Sequence, residues 1–518
     1  MPDPVFKPCM QNQPRLLPLD ISDMIPPQAM VRVVDSVIDS IDHKKLYDLY
    51  PGGGASSYDP VMLLKVVVFA YASGIYSSRQ IAKATEENIH FLWLCGLAPI
   101  EHNTINRFRG ERIAPVFEDI FSEVIALLAD QGYITLDTYF LDGTKIEADA
   151  NKFSFVWKKS SDRYMDALKR KVHAHLLAID ELTDDEDDLA GDGPGTIDST
   201  LIKQVAEKID KRLSKRPKDK DLKKAKRTIE KDYLPRMEKY EEQQSLFSGR
   251  NSYSKTDTDA TFMRMKDDYM RNGQLKAAYN VQIGTEDQFI IDATVHQRPG
   301  DIACMIAHLD HVEQSLGKLP QNIVADAGYG SEENYAYLEK AGVDAYVKHN
   351  EFFRLIKNKK WCDDEMRHAN WLHDKEKDVI ICPDGRSLGY VYDKRRVSDL
   401  GYESTGRIYQ CDDCSDCVKK RLCTKSSDPM FKKRVEINPT TQFFRDRATQ
   451  MLLTEDGEKL RKKRSVDVET VFGNIKQNYR FTRFRLRGLE KVSLEFRLVA
   501  MGHNMRKVTS IMQAQVTQ

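Results

Sequence analysis

Apolar positions recur along this chain at two spacings, and each change of spacing marks a change of architecture. After an irregular lead, PPQAMVRVVDSVIDSIDHKKLYDLY reads as a short helix that breaks at PGGG, residues 51–54. From about 58 to 113 the period is helical: VMLLKVVVFAYASG, SSRQIAKATEENIHFLWLCG and TINRFRGERI predict three helices with a turn at LAPIEHN. VFEDIFSEVIALLADQG continues as a helix. In YITLDTYFLDGTKIEADA, β-branched and aromatic residues then replace helix formers, which predicts a strand. Residues 157–248 return to charged, helical character, interrupted by DDEDDLAGDGPG, and suggest a helical hairpin inserted into a sheet domain. AAYNVQIGTEDQFIIDATVHQ reads as a β-hairpin turning over 284–287. A helix (DIACMIAHLDHVEQSLGK), a buried strand (NIVADA), a helix (SEENYAYLEKAG) and a strand (VDAYVKHN) follow it. The stretch from about 350 to 439 reads as irregular, and helices close the chain from 455 to about 508.

These elements predict a mixed α/β protein with an antiparallel pair at one edge of its sheet. The expected organisation is a lead over 1–57, a helical domain over 58–130, and a catalytic core assembled from 131–156, 249–350 and 440–508. A charged helical insertion (157–248) and a cysteine-rich insertion (351–439) interrupt that core. The three short helices of the second domain resemble a helix-turn-helix module, with Arg107, Arg109 and Arg112 on the last helix as DNA contacts. The plain alternative is a packed helical domain whose arginines are merely solvated.

Composition narrows the class. The 518 residues are 41% hydrophobic and 31% charged, the mean hydropathy is −0.55, and no apolar run is long enough to span a bilayer. A membrane function is therefore not expected. The N-terminal residues lack a basic start followed by an apolar core, so the protein is expected to remain in the cytoplasm where it is made. Seventy-nine basic residues balance seventy-nine acidic ones, but unevenly: acid gathers over 183–195, and 459–507 is dominated by Lys and Arg. That basic end points to a phosphate-bearing partner.

Three carboxylates stand where chemistry could use them. Asp142 is followed by Gly143-Thr144 near the end of an apolar strand, and its side chain is expected to emerge at a strand edge. Asp326 ends the run Ile323-Val324-Ala325 and precedes a glycine-containing loop, where α/β proteins place their ligands. Glu469 lies on a helix beside a stripe of Val468, Phe472 and Ile475. Brought together, three such acids need a cation, and hard oxygen ligands favour Mg²⁺ or Mn²⁺. Two such ions about 4 Å apart suit phosphodiester chemistry. Each acid taken alone reads more readily as a cap or surface residue, and it is the three contexts together that favour chemistry.

Nine cysteines include Cys411, Cys414, Cys417 and Cys423 within thirteen residues, a set able to hold one tetrahedral structural Zn²⁺. Cys382 is a candidate to replace one of them, and free thiols are the alternative. Beyond Glu469, Arg480, Arg483, Arg485 and Arg487 interleave with Tyr479, Phe481 and Phe484, a pattern suited to phosphate contacts and base stacking.

LDGTKIEADAN, VADAGYGSEEN and VETVFGNIKQNYRFTRFRLRGLEKV, in that order, resemble the three active-site motifs of DDE transposases from bacterial insertion sequences. The resemblance runs from about 58 to 507 and is nearest to the group numbered eleven eighty-two, through YDPVMLLKVVVFAYASGIYSSRQIA and the cysteine-rich segment. It implies a ribonuclease H-like core in which Asp142, Asp326 and Glu469 bind two Mg²⁺ ions. The implied activity is cleavage at terminal inverted repeats and strand transfer into target DNA, by a homodimer on DNA. Lys476 takes the place of the family's basic residue seven positions after the glutamate, and Arg464 that of its arginine before it. Arg461 stands where the family often has a tyrosine. Two other readings remain open, a non-catalytic DNA-binding regulator and a nuclease on the same fold that does not transfer strands.

Overall fold

The computed structural model describes residues 20–50, 57–182, 193–265, 273–428 and 430–517. The break at 51–54, the first nineteen residues of the lead, Cys9 among them, and most of the acidic run fall outside the described residues. The chain divides into two units, residues 1–131 with 497–518, and residues 132–496.

The first unit is helical. Its centre is the helix Pro60–Ala72, whose composition is apolar on every side and whose residues are nearly all buried. Asp59 caps it by accepting from the Met62 amide. Lys65, its one charged residue, reaches Asp35 and Asp39 of the helix Met30–Asp39 at 2.7 Å each. The helices Ser78–Glu87, Ile89–Leu94 and His102–Arg107 follow, the last continuing as a π-helical turn over Phe108–Arg112, and the helix Phe117–Asp130 closes the segment.

The second unit is built on a mixed sheet, and its strands number β1 (Thr138–Glu147), β2 (Phe155–Trp157), β3 (Ser252–Ser254), β4 (Thr261–Arg264), β5 (Leu275–Glu286), β6 (Phe289–His296), β7 (Asn322–Ala325) and β8 (Asp344–Val347). The order is β4-β5-β1-β7-β8, with β6 also paired to β5. β1, β7 and β8 run parallel, while β5 is antiparallel to β1, β4 and β6. Helices Met305–Leu316 and Glu332–Ala341 make the crossovers between β6, β7 and β8. The β5–β6 turn is the two-residue Asp287-Gln288, both left-handed (φ 49° and 65°), and not 284–287. Gly284 instead lies within β5 beneath the Tyr139 ring, where a Cβ would come within 1.6 Å of ring carbon.

Between the paired strands β2 and β3 the chain forms the helices Lys158–Leu182, Ser199–Lys215, Lys220–Thr228 and Leu234–Phe247 around their own apolar core, more than the hairpin expected from sequence. The expectation of an irregular stretch from 350 to 439 is corrected. It contains a five-stranded antiparallel sheet of β9 (Leu372–Asp374), β10 (Val379–Ile381), β11 (Ser387–Val397), β12 (Glu403–Cys411) and β13 (Arg434–Ile437), ordered β13-β12-β11-β10-β9. Its core is small, centred on Trp371, Ile380, Leu388, Tyr409 and Val435, so few apolar residues announce it. Among the described residues no helix is long and apolar enough to cross a membrane.

Candidate active site

Strand register assembles the site. Leu141 of β1 pairs with Ala325 of β7, and Ala325 pairs with Val347 of β8. One residue further along each parallel strand stand Asp142, Asp326 and Lys348, so backbone pairing sets two acids and a lysine in a row at the carboxyl ends of adjacent strands. Asp142 is not at the end of its own strand as expected. β1 continues to Glu147 because β5 pairs with it that far, and only the partner β7 stops short. Asp142 is thus buried at the step where β7 ends.

Its carboxylate accepts from the Gly143 amide at 2.8 Å and from Arg464 Nη1 at 3.3 Å. The other arm of the same guanidinium lies 3.6 Å from Glu469 Oε1, so Arg464 bridges the first acid and the third. Arg464 ends the helix Glu455–Arg464, and a π-helical turn over Ser465–Glu469 carries the glutamate onward. A wide turn of this kind shifts the face on which later side chains emerge, and such turns are frequent at functional sites. Val468, Val471 and Ile475 are buried beneath it, whereas the Glu469 side chain is 63% exposed. Asp467 anchors the turn to the β5–β6 hairpin, accepting from Thr285 Oγ1 at 2.6 Å and the Gln288 amide at 3.0 Å, and burial pushes its carboxyl up.

Asp326 accepts from the Gly328 amide at 2.7 Å. Beneath it Tyr329 is buried and donates to Gln282 Oε1. The phenol is held well above its ordinary pKa, first by burial and then by the negative charge of Asp142, Asp301 and Asp326. Asp301 is an acid the sequence reading missed, since PGDI reads only as a turn entering a helix. Its Oδ1 accepts from Asn280 Nδ2 at 2.8 Å and Gln282 Nε2 at 3.1 Å. Gly143 permits this: a Cβ there would meet Gln282 Nε2 at 2.3 Å and Asp301 Oδ1 at 2.8 Å. Lys348 was also missed, although it ends the apolar run of β8 just as Asp326 ends that of β7. Its ammonium is held below the ordinary lysine pKa, chiefly by burial and then by Arg464, with Asp326 and Glu469 opposing.

The basic residues expected to meet DNA divide in two. Arg109 is buried inside the helical unit, where Nη1 donates to Tyr76 O at 2.5 Å and Tyr71 Oη at 3.1 Å, so its charge is committed internally and does not face solvent. Arg107 is exposed, and Arg112 lies over the Tyr50 ring at 4.7 Å. Near the chain end, Arg483 and Arg487 both clamp Asp149, at 3.1 and 2.8 Å, although Arg487 stays exposed, as do Arg480 and Arg485, and Lys476 is half-buried. Phe481 and Phe484 are core residues packed on each other, and this corrects the expectation that they stack on bases. They turn inward because 482–484 pairs with the end of β1: Glu147 N donates to Thr482 O, and Phe484 N to Glu147 O.

The cysteines do not form the expected quartet. Cys411 and Cys414 adjoin within the small sheet's core, and Cys382 and Cys423 pack against the same core. Cys417 instead bonds to Asp384. Burial pushes the Cys411 thiol up to about 11. Among the described residues no group of three or more His, Cys, Asp or Glu side chains is gathered closely enough to hold a metal ion.

Two family models match the chain. A Transposase DDE domain matches residues 381–509, and a Transposase domain (DUF772) matches residues 19–111. The first stretch carries Glu469, Arg464, Lys476 and the clustered cysteines but does not reach Asp142 or Asp326. Searches of curated proteins and of solved structures return no match.

Proposed function

Because this chain belongs to the DDE transposases of insertion sequences, we propose that it cuts DNA at the ends of its own element and joins the freed 3′ ends to target DNA. The active-site acids of this reading are Asp142, Asp326 and Glu469. The observation that carries it is the convergence of three distant segments: register sets Asp142 beside Asp326, and Arg464 ties Asp142 to the turn bearing Glu469. The strand order β6-β5-β1-β7-β8, with β1, β7 and β8 parallel, is that of a ribonuclease H-like sheet and supports the same reading. Assignment to the group numbered eleven eighty-two is part of the proposal.

A divalent cation suits the chemistry of these donors, because carboxylate oxygens are hard ligands, but among the described residues the three side chains are not gathered around one point, and the charge lying between two of them is the Arg464 guanidinium, which a metal would have to displace. Mg²⁺ or Mn²⁺, when bound, supplies Lewis-acid stabilisation of the attacking and leaving oxygens. Asp142, Asp326 and Glu469 would hold it. The chain's own part is positional: the parallel strands fix two carboxylates, and the Asp467 anchor fixes the turn that presents the third. Exposed Arg480, Arg485 and Arg107, with Lys476, serve the DNA backbone in this reading. Two element ends call for two copies of the chain, hence a homodimer on DNA. If zinc binds the small sheet, the thiols around its core, Cys382, Cys411, Cys414 and Cys423, are the set to test, without Cys417.

Supercoiled plasmid carrying the DNA that flanks the coding region tests the proposal. The expected result is Mg²⁺-dependent nicking at the flanks and joined product, both abolished in Asp326→Asn protein with an unchanged circular dichroism spectrum. Nicking without joining would leave a nuclease, and retention of nicking in Asp326→Asn would sink the assignment of acids.

A further inference from the structure

Lys348 is only 8% exposed, yet among the described residues its ammonium has neither a carboxylate within ion-pair distance nor a hydrogen-bond acceptor; it rests over the Phe353 ring at 5.2 Å. Arg461 repeats the pattern, lying over the Phe352 ring at 5.1 Å with its Nε buried and unpaired. Nε of Arg464 is likewise buried without an acceptor, although its terminal nitrogens serve Asp142 and Glu469. An aromatic face attracts a cation but offers its N–H groups no lone pair. Nζ of Lys348, unlike those two Nε atoms, is not fully buried, so a charged donor that lacks a protein acceptor stays open to an arriving anion, which would offset part of the cost of its partial burial. These cations come from two separate segments, the end of β8 and the helix Glu455–Arg464, and Lys348 stands within electrostatic reach of Asp326, Glu469, Arg461 and Arg464.

We propose that Lys348 and Arg461 form a subsite for a phosphate of the DNA strand lying against the carboxylates, with the Phe352-Phe353 rings as its floor. The inference rests on the transposase reading and deepens it by assigning strand placement to residues outside the acidic triad. A phosphodiester fits because its two unesterified oxygens can accept from Nζ of Lys348 and a terminal guanidinium nitrogen of Arg461 together, while the neighbouring acids repel it enough to keep it off their own side. Free inorganic phosphate shares that chemistry, so the test must separate a polymer-borne phosphate from a dissolved one.

The experiment uses full-length protein, duplex DNA from the flank of its coding region, and a series of the same duplex with one neutral methylphosphonate stepped along the strand near the cut. Lys348→Met and Arg461→Gln are expected to weaken binding to the unmodified duplex by about ten- to a hundredfold, and to lower the slope of log affinity against log salt by about one each. At one methylphosphonate position, wild type and Lys348→Met should bind alike, because the charge the lysine meets is already gone. Without DNA, the thermal midpoint of Lys348→Met should equal or exceed that of wild type, the opposite of what a structural lysine would show. The proposal is overturned if no methylphosphonate position equalises the two proteins. It is equally overturned if the midpoint falls while the salt slope stays the same, or if millimolar inorganic phosphate relieves the DNA-independent cost while methylphosphonates have no effect. Nicking and joining that are both lost in Asp326→Asn uphold the transposase reading whichever way the Lys348 comparison falls, so the two can fail separately.

Discussion

Replacing Arg464 with Gln removes the cation lying between Asp142 and Glu469. At 3.3 Å and an effective dielectric near 20, the attraction to Asp142 is about 5 kcal/mol before desolvation is counted. The guanidinium is only 9% exposed, so desolvation offsets part of that, and breaking a buried pair typically costs about 3–5 kcal/mol. The second arm adds little, about 0–1 kcal/mol, because the Glu469 side chain is 63% exposed at 3.6 Å. Asp142 keeps the Gly143 amide, which places the expected loss near the lower end, about 3 kcal/mol. Urea denaturation of wild type and Arg464→Gln in EDTA measures it. Repeating the titration in saturating Mn²⁺ should shrink the difference by at least about 1.4 kcal/mol, since a cation that the guanidinium no longer opposes binds the variant more tightly and stabilises it more. A deficit below about 1 kcal/mol in EDTA, or one unchanged by Mn²⁺, would refute the idea that Arg464 holds the place of a metal's charge.

Gly284→Ala should lose about 3 kcal/mol or more in the same assay, because its Cβ would fall 1.6 Å from Tyr139, which is pinned by a 2.7 Å hydrogen bond with His308. His296 is lowered to about 4 by burial and by His311. On acidification below about 6.5 the unfolded chain therefore takes the proton first, and stability falls by about 2 kcal/mol between pH 7 and pH 5; His296→Gln should flatten that part of the pH profile. Within the helical unit, Arg109→Met should cost about 2 kcal/mol, since it strands the Tyr71 and Tyr76 acceptors, whereas Arg107→Ala should shift the denaturation midpoint within error. Equal effects from the two arginines would contradict their different burial.

Local pattern was enough for most elements, and it singled out the three acids proposed for the site. The helices Ser78–Glu87 and Phe117–Asp130 follow directly from 3.6-residue periodicity, and β1, β5, β6, β7 and β8 from β-branched runs bounded by turn residues. Asp142 and Asp326 stood out because each interrupts an apolar strand, which is costly unless the position is used. Tertiary structure decided everything that depends on a partner remote in sequence. The pairing of Leu141 with Ala325 joins segments 184 residues apart, and that of Ala325 with Val347, 22 residues apart across a crossover helix, turns Lys348 from the end of a strand into a neighbour of Asp326. Asp301 entered the site through the amides of Asn280 and Gln282 on β5, and Arg109, Arg483 and Arg487 were drawn to internal partners although their sequence contexts match those of arginines facing solvent. The reason is physical: helix and strand formation depends on neighbours within a few residues, which a sequence displays, whereas the partner of a charge depends on which surfaces meet, which only the folded chain determines.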